Sequence, residues 1–232
     1  MLKPVRTLRD FIRRQIQARR SPQAIFSQVY RSKAWGDQGE FFSGFGSHIQ
    51  PAVDAYVAAL RPLLDISKAV VDLGCGDFNI GRHIRPMCGK YIACDVVPEL
   101  IEYNKLRFPD VEFRCIDITA DSLPGADIAL VRQVLQHLNN DQIMRFLAKA
   151  RIYKTLIVTE HVPYGRFKPN LDKATGSGIR IHGIEPSGVD LAEPPFSLQI
   201  TSSKILAEVP DGPNFIRTTA YELDQRIFTA PS

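Results

Sequence analysis

Apolar residues along the chain follow two alternating patterns. Ala69–Leu73 is a short apolar run broken only by Asp72, which suits a strand inside a parallel sheet covered on both faces. Similar runs at Lys90–Asp95 and at residues 111–116, 126–131 and 156–159 predict four more strands. Residues 49–64 place Val53, Tyr56, Val57, Leu60 and Leu64 at helical spacing, and residues 80–87, 98–108 and 141–151 predict further helices. Pro98 sits where a helix tolerates proline, in its first turn. The alternation predicts an α/β fold with right-handed crossovers, a mostly parallel sheet and helices on both faces. Residues 204–209 and 215–223 are strand-like and flank Pro210-Asp211-Gly212-Pro213-Asn214, which predicts an antiparallel hairpin at the sheet edge.

Three segments fall outside this alternation. Residues 2–20 place Val5, Leu8, Ile12 and Ile16 at spacings of three and four among arginines, an amphipathic basic helix. Such a helix packs on the domain, on a second subunit as in a homodimer, or on an anionic membrane surface. Residues 30–48 mix the single tryptophan, Trp35, with four glycines and three phenylalanines, which predicts an ordered loop. Its aromatics bury under the domain or close over a flat ligand. Residues 163–200 are rich in Gly, Pro and charge and long for a loop, which predicts a substrate-side excursion. The chain therefore divides into an N-terminal part, residues 1–64, and a main domain, residues 65–232.

Charge and cysteine usage narrow the class. Residues 1–20 hold seven basic groups against Asp10 alone, a net of +6; the whole chain carries +4, so the other 212 residues carry −2. A nucleic-acid-binding body would be basic along a face, so nucleic acid is not an expected partner. The four cysteines show no metal-ligand pairing and no metal is expected; reduced thiols point to the cytoplasm. No stretch reaches the ~20 apolar residues of a membrane span.

The chemistry centres on Asp72-Leu73-Gly74-Cys75-Gly76-Asp77, a strand end and a glycine turn leading into a helix. Such a turn brings a ligand close to the backbone and to the helix N–H groups. A dinucleotide fingerprint requires a third glycine at position 79, where this chain has Asn79. Asp77 would also repel a pyrophosphate. S-adenosylmethionine carries an amine and a sulfonium, which suit Asp72 and Asp77. Asp95 ends the second strand, where a carboxylate accepts from ribose hydroxyls, and Asp117 ends the third, where an acid accepts from an adenine amine. An NAD-dependent oxidoreductase remains the rival enzyme reading. A catalytically silent binding or scaffold protein is the rival outside enzymes.

Val71-Asp72-Leu73-Gly74-Cys75-Gly76, then Asp95, then Asp117-Ile118, resembles the class I S-adenosylmethionine-dependent methyltransferases. The resemblance covers about residues 68–160 and implies a Rossmann-like, seven-stranded sheet. It implies a cofactor site at Asp72, Gly74, Cys75, Gly76, Asp77, Asp95, Val96, Asp117, Ile118, Arg132, Gln133 and Trp35. Phe78 stands where many members have a glycine and is expected to shape the methionine end of the pocket. Residues 132–138 and 159–163 resemble a bacterial subgroup associated with surface-polysaccharide and small-molecule pathways. This implies O-methylation of a small-molecule or saccharide acceptor.

Removing a hydroxyl proton calls for a base, and histidine suits best. His161 follows the fifth strand beside Glu160, an acid that could orient it. His137 follows the fourth strand, as a cofactor-loop or substrate residue or a packing histidine. Arg132 could bind an anionic acceptor or the methionine carboxylate, or pair with Asp95 or Glu160. His182, with Asn170, Asp172 and Arg180 in the excursion, could contact the acceptor.

Overall fold

A computed structural model of the protein describes residues 20–224. The helices are α1 (Pro22–Arg31), α2 (Gln50–Leu60), α3 (Gly81–Ile84), α4 (Pro98–Arg107) and α5 (Asn140–Ala150). The strands are β1 (Ala69–Leu73), β2 (Lys90–Asp95), β3 (Glu112–Cys115), β4 (Ile128–Arg132), β5 (Thr155–Pro163), β6 (Ile200–Asp211) and β7 (Asn214–Leu223). They form one sheet in the order β3-β2-β1-β4-β5-β7-β6. β1 to β5 are parallel, while β7 runs antiparallel to both β5 and β6. This is the mostly parallel seven-stranded sheet with a C-terminal hairpin that the alternation predicts. The predicted basic helix over residues 2–20 lies outside the described residues but for Arg20, and so do its expected contacts.

Side-chain alternation along the strands builds a core on each face. Val71, Leu73, Cys94, Ala129 and Val131 face one side, against Leu100 of α4 and Ile143, Phe146 and Leu147 of α5. α1 adds Phe26, Val29 and Tyr30 to the same core. Val70, Ala93, Leu130 and Ile157 face the other side, against Tyr56 and Leu60 of α2. α1 starts on an Ser21 cap whose hydroxyl accepts from Ala24 N at 3.2 Å, with Pro22 in the first turn. α5 starts on a reciprocal box between Asn139 and Gln142.

Four boundaries differ from expectation, each for a local reason. The helices expected over 49–64 and 80–87 tighten early into 3₁₀ turns at Arg61–Leu63 and Arg85–Met87. Pro62 and Pro86 lie in these turns, and proline has no N–H for the helical ladder. β5 runs on to Pro163, so Glu160 and His161 lie within the strand, not after it. Its parallel pairing with β4 stops at Thr159, but β7 continues the ladder through Val162↔Phe215 and Pro163↔Asn214. The hairpin is likewise tighter, with a two-residue Gly212-Pro213 loop in which Gly212 has φ +57. A two-residue loop favours glycine at its first position for that reason.

Candidate functional site

The carboxyl ends of β1, β2 and β4 open into a cavity of about 710 Å3, within the usual size of small-molecule sites. Its floor is the turn after β1. Gly74 has φ +96, and a Cβ there would meet Val134 Cγ2 at 2.2 Å. Gly76 has φ +54, and a Cβ there would meet Ser43 Oγ at 2.4 Å. The Gly76 N–H donates to Asp95 Oδ2 at 3.1 Å, and Asn104 Nδ2 of α4 donates to the Gly76 carbonyl at 2.7 Å. The turn is thus held between the acid that ends β2 and the helix that follows.

The sequence-predicted residues converge on this cavity. Its wall takes Gly74, Cys75, Gly76 and Asp77 from the turn, with Asp72 from β1. Asp95 and Val96 line it after β2, and Asp117 and Ile118 after β3. Arg132 and Gln133 line it at the end of β4, and Trp35 closes it from the N-terminal side. Asp72 accepts from the Tyr91 hydroxyl at 2.7 Å, and burial lifts its carboxyl to about 6. Asp95 also accepts from Val97 N at 3.1 Å; burial lifts it to about 6 against the backbone N–H groups that favour the charged form. Asp117 accepts from Thr119 N and Oγ1 at 2.8 and 2.7 Å.

The loop over residues 36–48 packs onto the turn through Asp77. That carboxylate accepts from Ser43 N at 3.0 Å and from Asn79 N at 3.2 Å, and lies 2.7 Å from His48 Nε2. Asp77 N donates in return to Ser43 Oγ at 2.7 Å. Arg132 holds the same loop, donating to Gly46 O at 2.7 Å and Ser47 Oγ at 3.2 Å, with its guanidinium 5.2 Å from the Tyr56 ring centroid. These contacts replace the ion pair to Asp95 or Glu160 that its sequence position allows. The loop aromatics divide between the two expected roles: Phe42 is buried, while Phe45 lines the cavity at 57% exposure.

Phe78 corrects an expectation. Its backbone does adopt the left-handed region, φ +63, where glycine is favoured. Its side chain, however, leaves the cavity and packs among Tyr91, Phe108 and Phe113 at ring-centroid distances of 5.9, 4.9 and 5.0 Å. It shapes the core under the turn, not the methionine end of the pocket.

The histidines have different environments. His137 also lines the cavity, buried between Trp35 and Phe26, with Nδ1 3.2 Å from Gly176 O. Burial and nearby Lys173 drive its pKa down to about 3, so it is neutral near pH 7. His161 lines the cavity with Nε2 3.0 Å from Asp211 Oδ2 and Nδ1 3.0 Å from Gln136 Oε1. Burial lowers its pKa and Asp211 opposes that shift. Glu160 does not orient it. Successive strand residues point to opposite faces, and Glu160 instead accepts from the N–H groups of Val134, Leu135 and Gln136 at 3.2, 2.8 and 3.1 Å. Burial lifts its carboxyl to about 8 against those donors.

In the excursion, Arg180 is buried and ties residues 135–140 down, donating to Leu135 O, Leu138 O and Asn140 Oδ1. Asn170 is buried and holds Asp190, and Asp172 accepts from Asn140 N. Only His182 of that group lines the cavity. Sequence reasoning missed Asp211, Gln136 and Ser43. Asp211 carried a signal, since a hairpin after β5 brings its tip back beside the end of that strand. Ser43 and Gln136 carried none.

Residues 70–153 match the family described as a methyltransferase domain. Over those residues the chain is similar to a methyltransferase domain. A methyltransferase-like protein, 235L of Invertebrate iridescent virus 6, is 28% identical over 107 residues, which cover 41% of this chain and 40% of that protein. The chain thus spans about two fifths of that relative's length. The chain is similar in fold to the N-terminal domain of EvdMO1 with S-adenosylhomocysteine bound: 13% identity, 82% of this chain, 86% of that one, TM-score 0.53. It is also similar to the N-methyltransferase NodS from Bradyrhizobium japonicum WM9 in complex with S-adenosylhomocysteine: 12% identity, 77% and 88% covered, TM-score 0.52. Human N-acetylserotonin methyltransferase in complex with S-adenosylmethionine gives 16% identity, 88% and 60% covered, TM-score 0.55. At these identities the likeness is one of fold.

The donor set of the cavity fits S-adenosylmethionine. Three acids stand at the ends of three adjacent strands, the glycine turn leaves no Cβ between them, and the buried Arg132 guanidinium has an Nε with no protein partner. Asp95 and Asp117 would hold the adenosine, and Asp72 and Arg132 the methionine part.

Proposed function

We propose that the protein transfers a methyl group from S-adenosylmethionine to an oxygen of a small-molecule or saccharide acceptor. The observation that carries this reading is the placement of the His161–Asp211 pair on the cavity that the strand-end acids line. S-adenosylmethionine bound there would supply a methyl group already activated on a sulfonium. The protein's part is to align the acceptor and remove its proton. His161 suits that step. Both of its ring nitrogens face oxygen acceptors, Asp211 Oδ2 and Gln136 Oε1. The doubly protonated ring, formed by taking the hydroxyl proton, satisfies both. Gln133 Nε2, 3.4 Å from Nδ1, is the donor available to the neutral ring. NodS is named as an N-methyltransferase, and a more basic amine acceptor would make His161 less critical. Four unpaired cysteines, three of them buried, support a reducing compartment such as the cytoplasm.

Calorimetric titration with S-adenosylmethionine and S-adenosylhomocysteine tests the cofactor. Binding is expected for both, weakened by Asp95→Ala; no binding of either at millimolar concentration overturns the proposal. The acceptor atom is read from the linkage in the product, an ether or ester against an amine.

A further inference from the structure

The cavity does not end at the His161–Asp211 pair. Ile181, His182, Pro213 and Asn214 form a wall shared with a second, shallower groove of about 720 Å3. The groove runs under the first half of the 163–200 excursion. Its character differs from the cofactor cavity. Tyr164 lines it at 74% exposure, its ring tilted 35° to that of Phe215 at a centroid distance of 5.6 Å. Arg166 and Lys168 line it too, both exposed, and neither side chain donates to any carboxylate or carbonyl among the described residues. Among the described residues, Glu185 is the one acid on its wall. These features sit beside the end of the cavity where a proton would be removed, away from the acids after β2 and β3.

From this arrangement we propose that the groove is the outer part of the acceptor site and binds an anionic saccharide. A sugar ring lies against Tyr164 while its phosphate or carboxylate lies between Arg166 and Lys168. The hydroxyl to be methylated then points past His182 toward His161. Two unpaired cations against one acid favour an anion. An exposed aromatic face beside them favours a ring with an apolar face over a bare ion. The inference rests on the methyl-transfer reading and names its acceptor class.

Saturation-transfer NMR with glucose 1-phosphate, glucose and inorganic phosphate tests it, with the S-adenosylhomocysteine affinity measured in parallel on each variant. Glucose 1-phosphate should show ring-proton transfer that glucose lacks. R166E/K168E should weaken it by about tenfold or more, given the reversal of two charges. Tyr164→Ala should reduce the ring transfer, and neither variant should change S-adenosylhomocysteine affinity. Equal binding of glucose and glucose 1-phosphate overturns the proposal, as does unchanged binding in R166E/K168E. Displacement of glucose 1-phosphate by equimolar inorganic phosphate overturns the saccharide part. Loss of S-adenosylhomocysteine binding in the parent protein would instead overturn the methyl-transfer reading, with the groove still measured by the same spectra.

Discussion

His161 Nε2 and Asp211 Oδ2 lie 3.0 Å apart although 50 residues separate them. β5 presents the histidine, and the tip of the β6–β7 hairpin brings the acid back over it. Two groups fixed on strands that both pair with β7 hold their geometry better than groups on a free loop. Asp211 works against burial, raising the pKa that desolvation lowers. Asp211→Asn removes the raising influence, so the His161 pKa falls and the acid limb of the pH–rate profile moves to lower pH. His161→Ala is expected to reduce turnover by about 10²–10⁴-fold. Both variants keep their affinity for S-adenosylhomocysteine. An unmoved acid limb in Asp211→Asn would remove the pair from the proton step.

Asp72 is a buried acid kept at a stability penalty. Its carboxyl is raised from 3.8 to about 6, chiefly by desolvation. A raised carboxyl destabilises the fold once it must ionise. The penalty is absent below pH 4, grows up to pH 6 and stays constant above, at about 3 kcal/mol. Asp72→Asn keeps an oxygen for the Tyr91 hydroxyl and loses the charge. Thermal melts should therefore show a higher Tm for Asp72→Asn at pH 7 and little difference at pH 4, with weaker cofactor binding. A lower Tm at pH 7 would contradict this account of the site's electrostatics.

β1 and β2 are legible to the residue because buried parallel strands are near-continuous apolar runs, here interrupted only by Asp72 and bounded by Lys90 and Asp95. The residues expected to hold the cofactor line one cavity, and those that follow β1 to β4 meet there because chain order in an α/β sheet places successive strand ends along one edge. Glu160 departs from its expected place beside His161 because β5 continues past Thr159, and that extension depends on β7, which pairs from some sixty residues away. The clamp between Ser43 and Asp77 was invisible for the same reason: a loop–loop hydrogen bond leaves no periodicity in the chain.

Phe78 offers a test of the correction at the turn. Its φ of +63 costs about 1 kcal/mol relative to a glycine. Its ring fills the space among Tyr91, Phe108 and Phe113, and is 1% exposed. Emptying such a site costs about 3–5 kcal/mol. Burial therefore wins, and Phe78→Gly should destabilise the protein by about 2–4 kcal/mol in urea unfolding. Because the side chain does not line the cavity, S-adenosylhomocysteine affinity of the folded variant should change little. A stabilised variant, or one with a reshaped cofactor preference, would restore the expectation that Phe78 faces the methionine end.

His137 separates a packing histidine from a titrating one. Its ring lies 5.1 Å from Trp35 and 6.3 Å from Phe26, and the pKa of about 3 leaves it neutral throughout the working range. A group that does not titrate between pH 5 and 9 cannot set a limb of a rate profile there. His137→Phe keeps the aromatic contacts and removes the ring's hydrogen bonds to Gly176 O and Gln136 Nε2, a loss of about 1 kcal/mol each. The variant should unfold slightly earlier, while the shape of its pH–rate profile stays that of the parent. A displaced acid limb in His137→Phe, together with an unmoved one in Asp211→Asn, would transfer the role of base from His161 to His137.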